Sequence, residues 1–352
     1  MKRKSNIELL RIIAMFMIVL HHFMIHGVLR NAYSGTPLAV NATKIIADLF
    51  ESGGKLGVDI FLMISGYFLI KSTPKFKKIF TLLTQVWFYS ILFFVINLFL
   101  HILPLNRGLI VSSIFPFSYE TYWFVTAYVI IYLFSPYLNQ YLLSINKMQF
   151  RKFLFLLVLI SIIIPTFLPR SIQMTWPLFA CFTFYITGAY IRLFVSDDLI
   201  IKKRGKILSI LMILFCAFTV VGFNLIGKAM KIDVISTNAT YFTLNNSSLA
   251  LYLLSAGLLL WFRGMNMGSH RSINLIAGAT FGVYLIHENP IVSHWLWNNF
   301  TPTLEYLGYT PMKFVVTVLI ISILIYAVCT IIDLVRQYAF RIIDKAKCIV
   351  KH

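Results

Sequence analysis

Five ionisable residues interrupt the first apolar run of the chain: Glu8, Arg11, His21, His22 and His26. Such side chains are costly inside a bilayer and, where they occur, face a bundle interior or a cavity. At about 100° per residue, Arg11 and His22 share one helix face, about 16 Å apart along the axis. Glu8 stands three residues before Arg11, and His26 four after His22, so each can neighbour its partner. His21 points about 100° away. An imidazole can accept a proton near neutral pH, which makes His22 a candidate general base. Arg11, with Glu8 beside it, is a functional candidate on the same face. A plainer reading stays open beside this one. Arg11 can snorkel to the headgroups while the histidines satisfy contacts between helices, and for His21 we adopt that reading.

Two further groups of residues carry possible chemistry. Asp59 is a charge within the apolar stretch Gly57–Tyr67, which also holds the small pair Ser65-Gly66. The small pair suits close helix packing. A basic loop, Lys71 to Lys78, follows directly; it reads as a topology signal or as a phosphate grip. Late in the chain, Tyr284, His287, Glu288 and His294 cluster around Pro290, which should kink its helix. A His-Glu pair within a span is a functional candidate by default. Tyr122, Trp123 and Tyr128 fit an interfacial aromatic belt or a platform for stacking carbohydrate.

The elements that must position these residues are membrane helices. Of 352 residues, 59% are hydrophobic and 12% charged, and the formal net charge is +19. A soluble core of that composition would lack polar surface to cover itself, and 32 Phe with 18 Tyr exclude disorder. Ten apolar runs can each cross a bilayer, at about 7–29, 52–70, 79–103, 121–143, 153–169, 175–195, 207–227, 247–263, 276–299 and 314–336. With both termini in the cytoplasm, 23 of the 31 Lys and Arg fall on that side and 8 on the other. That split follows the positive-inside rule and argues against a nucleic-acid partner. The fold expected is therefore all-α: a polytopic integral membrane protein with about ten transmembrane helices. Residues 5–335 form the membrane domain and 336–352 a basic cytoplasmic tail. The longest loops face outward, at about 30–50, 104–120 and 228–246. The first span carries charges and lacks a small-residue cleavage site, so it reads as retained rather than as a signal peptide. Cys181, Cys216, Cys329 and Cys348 show no metal-ligand spacing, and no metal is expected.

The stretch IELLRIIAMFMIVLHH resembles the opening of the acyltransferase 3 family of bacterial membrane acyltransferases. That signature is a basic residue, ten intervening residues and a His, matched by Arg11 and His22. GVDIFLMISGYFLI resembles the family's second-helix segment, YWFVTAYVIIYLFSPYL its Trp-containing segment, and FGVYLIHENPIV its late Tyr-Leu-x-His segment. Many members carry Arg-x-x-Arg after the second helix; Lys75 and Lys78 stand nearest to it here. The resemblance implies ten helices of the stand-alone kind in a bacterial plasma membrane. It also implies transfer of an acyl group, usually acetyl from cytoplasmic acetyl-CoA, to a hydroxyl or amine of an extracytoplasmic glycan or envelope polysaccharide. Arg11, Lys75, Lys78 and Ser65 would then hold the donor. His22, with Arg11 and Glu8, would serve catalysis, and Asp59, Trp123, Tyr284, His287 and Glu288 would meet the acceptor. The rival reading is a transporter or flippase for a glycan or lipid-linked precursor, with the buried Arg, His and Glu as its path.

Overall fold

The computed structural model describes all residues except 1–3, 34, 36–37, 73–75, 118–120, 169–176, 246, 301–304 and 351–352. Among the described residues there are helices and no strands. A helix satisfies its own backbone polar groups, which is what hydrocarbon demands of a spanning segment. Each of the ten apolar runs contains helix among the described residues, and the one at 276–299 is broken between His287 and Pro290. We label the helices as follows: α1 Ser5–Phe23, α2 Ala42–Glu51, α3 Gly53–Leu69, α4 Phe76–Leu100, α5 Trp123–Ser144 and α6 Lys147–Val158. Then come α7 Pro177–Phe194, α8 Leu199–Met230, α9 Leu249–Arg263, α10 Arg271–His287, α11 Pro290–Trp295 and α12 Pro311–Val350.

Among the described residues, five helical segments are long and apolar enough to cross a membrane: Ser5–Val28, Lys77–Leu100, Lys147–Phe167, Leu199–Met230 and Pro311–Ile343. Half of the apolar window of the first is buried inside the protein, against 22% for Lys77–Leu100 and for Leu199–Met230. The helix that carries the ionisable residues is therefore central, while α4 and α8 turn apolar faces outward. α12 continues as one helix from its apolar part through the basic tail to Val350.

Glycines set how closely α1, α3 and α7 approach. A Cβ on Gly66 would lie 1.8 Å from the Tyr185 carbonyl oxygen, and one on Gly188 would lie 1.9 Å from that of Met63. α3 and α7 thus cross with backbones in contact at two reciprocal points, the use of small residues that membrane packing favours. On its other side α3 meets α1, where a Cβ on Gly54 would fall 2.1 Å from the His21 ring.

Polar staples hold the rest. Asn6 Nδ2 donates to the carbonyls of Phe262 (2.9 Å), Arg263 (3.0 Å) and Met265 (3.2 Å), closing the end of α9. Buried Arg263 in turn donates to the Ile191 (3.1 Å) and Val195 (3.2 Å) carbonyls at the end of α7. Fully buried Asp333 accepts from Tyr89 (2.8 Å), Gln85 (3.1 Å), Arg336 (2.8 Å) and Gln337 (2.7 Å), tying α12 to α4.

Candidate active site

Two places along α1 carry the polar residues, and they have different chemistry. Near its start, Arg11 Nη1 donates to Glu8 Oε2 at 3.3 Å, and the guanidinium sits 5.7 Å from the centre of the Phe68 ring. Arg11 lines a cavity of about 250 Å³ together with Ser65 of α3, Lys78 of α4, and Tyr128 and Tyr132 of α5. The two cations give it the charge for an anion. Its size is below that of a pocket for a whole drug-sized ligand, so it suits one part of a long molecule. Ser65 Oγ donates to the Phe61 carbonyl at 2.8 Å, so only its remaining lone pairs are available. Lys75 lies outside the described residues.

Further along α1, the structure brings His22 against the end of α10. His287 is fully buried, with Nδ1 2.6 Å from the Val283 carbonyl oxygen. A carbonyl only accepts, so Nδ1 carries the proton and Nε2 the lone pair. His22 Nδ1 lies 2.9 Å from that Nε2 and must be the donor. A neutral imidazole has one N–H, which leaves the lone pair of His22 on Nε2. The same Nδ1 is 3.0 Å from Glu288 Oε2, so a carboxylate faces the ring that would become charged. His26 Nε2 stands 3.5 Å from the other carboxylate oxygen. His26 is set on a five-residue π turn, Met24–Val28, that follows α1 directly. Such turns are rare and concentrate at functional sites. Tyr284, also buried, places its ring 6.5 Å from that of His22 and 6.2 Å from that of His287.

The break after His287 is what delivers Glu288. Pro290 has no N–H to continue the helix, and Asn289 caps the next one by accepting from Ile291 N at 3.1 Å. Tyr122 secures the break: its hydroxyl donates to the Leu285 carbonyl (3.1 Å) and accepts from Asn289 Nδ2 (2.9 Å). The sequence pattern assigns no role to Asn289 and marks Tyr122 only as part of an aromatic group. The Asn-Pro pair, a helix stop and start in one, was the signal for the first. Nothing in the sequence marked the second. Spacing marks His26 only as a neighbour of His22, because it does not reveal the π turn.

Other sequence candidates lie elsewhere. Asp59 is fully buried on α3, four residues after Lys55 and close enough to influence Lys55 and Cys181. Trp123 starts α5, and Lys55 Nζ lies 4.7 Å from the centre of its ring. His294 is 3.0 Å from Asn298 Nδ2 on the far side of the Pro290 break. His21 Nδ1 is 2.8 Å from the Glu51 carbonyl oxygen, a structural contact of the kind expected for it. The ligand atoms of His22, His26 and Glu288 lie within 4.8 Å of one another, a set with the composition to take a metal ion.

The described residues thus form a multi-helix membrane bundle with a largely buried His-His-Glu cluster at one level and a cationic cavity at another. The chain matches the acyltransferase 3 profile, described as an acyltransferase domain, over residues 4–334, and it belongs to that family. No curated protein and no solved structure matches it closely enough to extend that identification.

Proposed function

We propose that the protein is an O-acyltransferase of the bacterial plasma membrane that moves an acetyl group from cytoplasmic acetyl-CoA to a hydroxyl, or amine, of an extracytoplasmic glycan. All ten apolar helices cross the bilayer in this reading, with both termini in the cytoplasm, as the 23 to 8 division of basic residues supports. Arg11 and Lys78, with Lys75 of the same basic loop, hold phosphates of the donor at the cytoplasmic end. The acyl arm then runs along α1 toward His22, about 16 Å away.

The observation that carries the proposal is the hydrogen-bond chain Val283–His287–His22, which supports reading His22 Nε2 as the base. His22 Nε2 takes the proton of the acceptor hydroxyl as its oxygen attacks the thioester carbon. The C–S bond breaks, and His22 returns the proton to the departing thiolate of CoA. Glu288 stabilises the imidazolium between these events, and His287 fixes the ring. Glu8 orients Arg11. No metal takes part in this scheme.

The test compares wild type and His22→Ala in a host lacking the gene, reading acetyl content of surface polysaccharide by mass spectrometry. Acetylation should be lost in the variant. Equal acetylation in both would overturn the role of His22.

A further inference from the structure

A cavity of about 650 Å³ opens beyond the π turn that ends α1. Leu29 lies on its wall, seven residues past His22, which is about 10 Å along a helix axis. Glu51, whose carbonyl oxygen is the partner of His21, lines it too. The cavity thus lies past the His22 end of α1, on the side away from Arg11. Its walls are α2 and the segment 233–245.

Its polar groups contrast with those of the Arg11 cavity. Lys44 is the one lining cation, and its three donors are all used: Asp48 at 2.8 Å, Asn224 Oδ1 at 2.9 Å and the Ser236 carbonyl at 3.0 Å. Asp48 is thereby neutralised. Glu51 is held by the Tyr33 hydroxyl, and burial raises its carboxyl to about 8, which favours its neutral form. Asp233 remains, exposed at the rim. In a chain of net charge +19, this cavity presents no free cation among its described walls. What its lining does present is the Tyr33 ring, 58% exposed, together with the amides of Asn238 and Asn245 and the Thr237 hydroxyl; the last donates to the Asp233 carbonyl (2.7 Å) and keeps its lone pairs, and Asn238 Nδ2 donates one N–H to the Val234 carbonyl (2.8 Å). An apolar aromatic face flanked by neutral donors and acceptors recognises a hydroxyl-rich ring. It offers no free cation to pair with an anion.

We propose that this cavity binds the acceptor as an uncharged sugar residue, stacked on Tyr33, adjacent to the sugar whose hydroxyl reaches His22. Phosphorylated sugars and uronates are disfavoured. The inference rests on the acyl-transfer reading for its biological meaning, and its test is separable from it.

Full-length protein in nanodiscs is titrated with a neutral N-acetylhexosamine tetrasaccharide and with a hexuronate tetrasaccharide of equal length, following binding by saturation-transfer NMR. Acetyl-CoA binding and turnover are measured in parallel. Wild type should bind the neutral probe at least about tenfold more tightly than the hexuronate one, a difference of about 1.4 kcal/mol. Tyr33→Ala should weaken the neutral probe about tenfold, whereas Tyr33→Phe, which keeps the ring, should retain it. Asp233→Lys at the exposed rim should narrow or reverse the preference. Acetyl-CoA binding should be the same in all four proteins. Equal affinity for the two probes, no binding of the neutral probe, or indifference to Tyr33→Ala would each overturn the proposal. Saccharide binding as expected, with no use of acetyl-CoA by wild type, would instead overturn the acyl-transfer reading.

Discussion

Replacing Glu288 with Gln should slow acyl transfer about a hundredfold while leaving the bundle folded. Glu288 Oε2 lies 3.0 Å from His22 Nδ1. For a unit charge pair at that separation, an effective dielectric constant of about 20 gives about 5 kcal/mol. Part of that survives the change. The Gln side chain keeps an oxygen, His287 Nε2 still accepts from His22, and the Glu288 side chain is 19% exposed, so water screens part of the field. Taking about half leaves near 3 kcal/mol of lost stabilisation when His22 takes up the proton, or about two orders of magnitude in rate. The assay is CoA thiol release by protein in nanodiscs, with kcat and the KM for acetyl-CoA determined separately. The loss should fall on kcat, because the charge is needed only once His22 has accepted a proton. In a His22→Ala background the same replacement should cost less than about threefold, since the two groups act as a unit. A full hundredfold loss in that background would refute the coupling, and an unchanged kcat in the single variant would refute the electrostatic role.

Three other outcomes follow from the geometry. Tyr122→Phe removes the hydroxyl that bridges the Leu285 carbonyl and Asn289, so kcat should fall about tenfold with the KM for acetyl-CoA unchanged; a change confined to thermal stability would make Tyr122 purely structural. Gly66→Ala would put a methyl group 1.8 Å from the Tyr185 carbonyl oxygen and must part α3 from α7; the expected cost is about 3 kcal/mol or more, read as a lowered melting temperature by fluorescence-detected size exclusion. Glu51 lies on α2, outside the spanning segments, and burial, with a contribution from Asp48, raises its carboxyl from 4.5 to about 8, against the bond from Tyr33. The folded state then holds a proton that the unfolded state releases above about 4.5, so this contribution to stability is complete below that pH and fades as pH rises through about 8. Melting temperature should decline across that window, by the equivalent of at most about 1.4 kcal/mol per pH unit, and Glu51→Gln should flatten the slope.

The sequence by itself determined the class of fold and the first half of the site. Apolar runs of spanning length, broken by few charges, admit little besides a helical bundle in a membrane. Helical periodicity alone placed Arg11 and His22 on one face of α1 and Glu8 beside Arg11. Those are local relations, set by a fixed rise and turn per residue. The residue types at 284–288 and the proline at 290 marked the second half, and the interruption at Pro290 was legible for the same local reason.

Only the tertiary structure decided that the two halves meet. His22 and His287 are 265 residues apart in sequence, and no periodicity links α1 to α10. Their contact depends on α1 being the buried centre of the bundle, and on α3 being drawn close to it by glycines whose partners lie on other helices. The proton positions were likewise out of reach, because the state of the His22 ring follows from a carbonyl, Val283, at the far end of a chain of two hydrogen bonds. The contrast between a cationic cavity at one end of α1 and a charge-compensated one beyond the other was hidden as well. Lys44 counted in the sequence as one more basic residue, and packing turned it into a saturated structural ion. Charge composition is additive along a chain, but the charge a ligand meets depends on which groups have already spent their hydrogen bonds on one another.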